Sequence, residues 1–128
     1  MWAKYALGEY LGLKDASGKP YTRNVFASPT KEDGHLLTQR IQMPLIPMAG
    51  EAMVGLGIAN LQKMGTKFLL CNNAFGLWTL ELEAKGKGAA GALGKDLMAN
   101  LLPGVTPVPA MVQAIQQAQA AGFSYNRQ

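Results

Sequence analysis

The sequence predicts an α/β domain with a mainly parallel sheet flanked by helices. Three observations carry this. From Glu51 onward, apolar patterns alternate as helix, strand, helix, strand, helix, strand, the order produced when helices connect parallel strands. Two of the strand-like runs, "KFLLC" at 67–71 and "VTPV" at 105–108, are short and bounded by turn residues. The chain has 128 residues, 48% hydrophobic and 16% charged, which suits one domain around one core. No internal repeat, low-complexity tail or linker interrupts it, so residues 1–128 read as a single domain.

The elements follow in order. Residues 1–13 read as a helix, because Trp2, Ala6, Tyr10 and Leu13 recur at helical spacing beside Ala3, Leu7 and Leu11. Asp15, Gly18 and Pro20 then mark a turn. Pro29, Gly34, Pro44, Pro47 and Gly50 break up the next stretch, leaving room for a short helix near 31–41 with Leu36, Leu37, Arg40 and Ile41 on one face. Met53, Val54, Leu56, Ile58, Leu61 and Met64 fit a helix that Gly65 stops. The strand at 67–71 follows. A helix at 74–85 offers Phe75, Leu77, Trp78, Leu80 and Leu82, and four glycines between 86 and 94 interrupt it before one or two helical turns at 95–102. Pro107 places the strand at 105–108 on an edge or limits its ladder. Pro109 suits the first turn of a helix running to about Ala121, with Met111, Ile115 and Ala118 inward and Gly122 closing it. "FSYN" would add a last strand through Phe123 and Tyr125.

Composition excludes several function classes. The single cysteine rules out an intrachain disulfide framework and a CxxC redox pair, and the single histidine leaves too few soft ligands for zinc. No metal or cofactor is expected. The net charge of +4 comes from scattered residues, the closest set being Lys85, Lys87 and Lys95, and lacks the dense basic stripe of a nucleic-acid binder. No apolar run reaches the ~18 residues of a membrane span. The opening "MWAKYALGEY" has no signal-peptide pattern, so the chain as written reads as cytoplasmic. Low charge also implies surface covered by partners or other copies. Of the seven methionines, Met43 and Met48 are the candidates for a pliable interface.

The chemistry-bearing candidate is Cys71, at the carboxyl end of its strand. Ligands of open parallel sheets bind outside that end, and the partial positive charge of a following helix N-terminus stabilises a thiolate. Asn72 and Asn73 add amide donors for an anionic sulfur or oxyanion. Two roles fit: a nucleophilic thiol, or a buried residue that fills space beside ordinary turn asparagines. His35 is placed as a loop histidine facing solvent, with a pairing to Cys71 as the other option. Glu81 and Glu83 do not share a helix face and read as solvated. "GKGAAG" at 86–91 lacks the strand before it and the acid after it that a dinucleotide site needs. "GALGKD" has Ala89 and Asp96 where a phosphate loop needs Gly and Ser or Thr.

"LQKMGTKFLLCNNAF" followed by "DLMANLLPGVTPVPAMVQAIQQAQAAGFSY" resembles the DsrE/DsrF-like family of small bacterial sulfur-relay proteins. The match covers about residues 51–126 and is strongest at 65–74 and 101–109; "WAKYALGEYLG" and "TRNVF" look like a longer subgroup. The resemblance implies a DsrE-like α/β fold, homo-oligomers, and sulfurtransferase or sulfur-carrier activity. Cys71 would take sulfane sulfur as a persulfide from a protein donor and pass it to an acceptor thiol. The alternative is a non-catalytic oligomerising or ligand-binding module on the same fold. Relatives begin with a strand and a helix before the position matching residue 1. The comparison therefore implies an N-terminally shortened chain whose usual first strand is missing, whose sheet edge is exposed, and whose stability leans on another chain. A leader, which several members of this subgroup carry, would be missing with it, which leaves the compartment open between the cytoplasm and the periplasm.

Overall fold

The computed structural model describes residues 1–40 and 48–124, without the side chains of residues 39 and 40. The expectations for Ile41, Met43, Pro44, Pro47 and Tyr125, and for the side chain of Arg40, lie outside the described set. The chain divides into two compact units, Met1–Thr66 and Lys67–Gln128.

In the first unit, the expected helix over 1–13 shrinks to α1, Leu7–Tyr10. Ala6, just before it, has a φ of 49°, a left-handed conformation that breaks the helical repeat. Turns occupy the preceding residues, with Tyr5 N–H on Met1 O and Leu7 N–H on Trp2 O. A 3-10 turn, Lys31–Gly34, leads into α2, His35–Arg40, as the leucine spacing there predicts. The expected long helix over 51–64 is two helices, α3 (Ala49–Gly55) and α4 (Ile58–Lys63). Gly57 separates them; a Cβ there would lie 2.5 Å from Pro29 Cδ, so the chain turns against a neighbouring loop rather than continuing. That loop caps α4: Ile58 N–H donates to Phe26 O at 2.9 Å and Ala59 N–H to Ala27 O at 3.2 Å. Gly65, with φ 95°, closes α4 as expected.

The core of this unit is Leu13, Tyr21, Val25, Leu36 and Met53, flanked by Trp2, Leu11 and Leu37. Helix α3 packs on the 3-10 turn through glycine: a Cβ on Gly34 would meet Gly50 N at 2.5 Å. Asp33, 2% exposed, organises the loops around that core. Its carboxylate accepts from Tyr21 Oη at 2.7 Å, from Arg23 Nη2 at 2.6 and 2.8 Å, and from Thr30 N–H at 2.7 Å.

The second unit contains β1 (Phe68–Cys71), α5 (Asn72–Ala84), α6 (Ala90–Ala99), β2 (Val105–Val108) and α7 (Met111–Ala120). The strands pair in parallel, Phe68 with Val105 through Cys71 with Val108. The described residues thus mix helix with a parallel two-stranded sheet, the coarse α/β class expected. Helix α6 differs from expectation, running through Gly91 and Gly94 where a break was foreseen. Leu93 and Leu97 are buried on it and Leu82 on α5, which packs against it, and this tertiary burial outweighs a helix penalty of about 1 kcal/mol per glycine. Phe123 and Ser124 are not in a strand.

Candidate functional site

Cys71 is the last residue of β1 and the N-cap of α5, with φ −73° and ψ 114°. The apolar run "FLLC" makes the strand, and the helix starts at the next residue. Because β1 and β2 are parallel and in register to their last pair, Cys71 opposite Val108, the helices that follow them start at the same end of the sheet. Helix α7 opens at Met111 after the extended Ala110, and it packs on β1.

Two helix N-termini therefore act on one sulfur. The Ala74 N–H, then the Met111 N–H, lower the Cys71 thiol from its ordinary value; partial burial pushes it back up, and the Asn73 N–H lowers it further. Sγ closes no capping hydrogen bond to α5, so these amides act as nearby dipoles. The thiol is neither sealed in a core nor fully open, being of intermediate exposure. Asn72 and Asn73 are exposed in the first turn of α5. Such a site can hold a thiolate, or a sulfur anion one atom longer, at the rim of the sheet.

Sequence reasoning named Cys71 and the amides after it, but not Met111. The signal was present: "FLLC" and "VTPV" taken as adjacent parallel strands place both following helix starts on one side.

The other candidates lie elsewhere. His35 is not a loop histidine facing solvent: it opens α2, with Nδ1 2.9 Å from Glu32 O and Nε2 2.9 Å from Lys14 O. Lys85 and Lys95 are exposed and Lys87 half-buried, around the end of α5 and along α6. Glu81 and Glu83 are exposed, as expected of solvated carboxylates. Among the described residues no group of His, Cys, Asp and Glu is placed to hold a metal ion, and no helix is long and apolar enough to cross a membrane. Compared with family models, curated proteins and solved structures, the chain matches none of them.

Proposed function

We propose that the chain is a small sulfur-relay protein of DsrE-like type, in which Cys71 carries sulfane sulfur as a persulfide. The observation that supports this most directly is the half-exposed Cys71 thiol, lowered by amides from the starts of both α5 and α7. The Cys71 thiolate attacks the outer sulfur of a donor protein's persulfide. A new S–S bond forms, the donor's S–S bond breaks, and the donor leaves as a thiolate. The reverse exchange passes the sulfur to an acceptor thiol, with no net oxidation in either step. Asn72, Asn73 and the main-chain amides stabilise the anion between transfers. Donor and acceptor are separate proteins, since this chain has one cysteine, and the working form is a homo-oligomer.

Intact mass spectrometry after incubation with a persulfide donor tests this. The chain gains one sulfur, reductant removes it, and Cys71→Ser gains none. An unmodified wild-type chain, or an adduct that survives in Cys71→Ser, refutes the relay.

A second reading keeps the fold without the chemistry, as an oligomerising or ligand-binding module. Leu77, 71% exposed, and Leu80, 55% exposed, on α5 favour it. Alkylation separates the two: a relay thiol reacts quickly near neutral pH without denaturant.

A further inference from the structure

The two strands of the sheet have unlike outer edges, and the prolines of β2 are the reason. Val105 N–H donates to Leu102 O at 3.2 Å, and Pro107 and Pro109 have no N–H. Thr106 and Val108 are the donors left to β2. With Leu69 opposite Thr106 and Leu70 opposite Pro107, a parallel ladder in this register joins Thr106 and Val108 to Phe68 and Leu70. It turns the main-chain groups of Leu69 and Cys71 to the other edge of β1. The outer edge of β2 is closed to a further strand, because its N–H groups are used or missing. The outer edge of β1 is open: among the described residues, no main-chain bond from another element reaches the N–H or C=O of Leu69 or the N–H of Cys71.

We propose that this edge receives the sulfur-exchange partner as an extended segment, which pairs with β1 and brings its cysteine opposite Cys71; the proposal rests on the relay reading. The open groups lead to the sulfur, Leu69 N–H and C=O first and Cys71 N–H last. Side chains two apart share a face of a strand, so Lys67, Leu69 and Cys71 face the same way. Lys67 is exposed, and Leu69, 44% exposed, is the one exposed side chain of β1. A segment paired in parallel sets an acidic side chain against Lys67, an apolar one on Leu69 and the partner cysteine against Cys71, each about 5 Å across. The partner is thus recognised by its main chain and by acid, apolar residue and cysteine at alternate positions.

A bare strand fits where a second copy does not. Helix α7 packs on β1. Two copies joined edge to edge would hold their α7 helices on strands about 5 Å apart, whereas packed helices need about 8–10 Å. An added segment carries no helix and needs only the width of a strand.

Intact mass against time, on the full chain, compares two donors at equal low concentration. One is cysteine persulfide; the other is the peptide Glu-Thr-Val-Thr-Cys with its cysteine as the persulfide. The peptide delivers its sulfur to Cys71 roughly tenfold faster. Methylating the main-chain nitrogen of its second threonine, whose N–H meets Leu69 C=O, removes that advantage. So does Leu69→Pro, which deletes an N–H outside the β1–β2 ladder, where an edge strand accepts proline. Should Leu69→Pro not fold, the methylated peptide decides alone. A peptide no faster than cysteine persulfide, or an advantage that survives the methylation, overturns the docking and leaves the relay standing. A chain that takes sulfur from neither donor overturns the relay and the docking with it.

Discussion

At the residue scale, Asp33 and Cys71 are opposite uses of the same electrostatics. Burial pushes the Asp33 carboxyl up, but the Arg23 guanidinium, the Thr30 N–H and the Tyr21 hydroxyl together bring it down from 3.8 to about 2. Its folded value is depressed, so its stabilisation is complete above the unfolded value and is lost as pH falls from about 4 towards 2. That loss amounts to roughly 2 kcal/mol. Asp33→Asn leaves the Arg23 side chain, 44% exposed, free to turn to water, so the cost is about 2–3 kcal/mol rather than that of a sealed pair. Urea melts of wild type and variant at pH 7 and pH 3 check both: the variant is weaker at pH 7, and the gap narrows at pH 3. None of this was legible in the sequence, because Tyr21, Arg23, Thr30 and Asp33 have no common period and meet only through loops. Cys71 was legible, because an apolar run ending in cysteine before a helical pattern fixes its position by local rules alone.

At the element scale, the sulfur's environment comes from the starts of two helices, and α7 allows one to be altered without the other. Proline is accepted at the first position of a helix, where its missing N–H has no intrahelical role, and the preceding Ala110 is already extended, φ −142° and ψ 132°, as proline requires. Met111→Pro therefore keeps α7 while deleting one of the amides that lower Cys71. The expected outcome is a pH profile of Cys71 alkylation displaced upward, with helix content by circular dichroism unchanged. An unchanged profile would mean that α5 alone sets the thiol. The elements most readable in the sequence were those after residue 67, where helix and strand periods alternate, although the strands are only partly buried and Leu77 and Leu80 of the expected hydrophobic side of α5 are exposed. Those before it were less so. The apolar spacing of residues 1–13 gave no sign of a left-handed Ala6, and a continuous pattern over 51–64 concealed the break that Pro29 enforces at Gly57.

At the scale of the whole molecule, the proposed relay brings an assembly with it, and α5 offers the surface on which to test it. Thr79 and Leu82 are buried on one side of this helix, while Leu77 and Leu80, three residues apart and so neighbours on its surface, are 71% and 55% exposed. On α7, Val112 is 71% exposed. Apolar groups so placed contribute little to the fold of one chain and gain from burial against another, at about 25 cal/mol per Å². Sedimentation equilibrium over micromolar concentrations should show association of the wild type. Leu77→Lys combined with Leu80→Lys should shift it to monomer, with a change in protomer stability of only about 0.5 kcal/mol per exposed site. Because Cys71 draws its amides from α5 and α7 of its own chain, the dissociated variant should still gain one sulfur from a persulfide donor. A wild type that remains monomeric at every concentration removes the oligomer from the proposal and leaves the thiol chemistry standing. A variant that dissociates and also stops accepting sulfur would show that the partner chain contributes to the site.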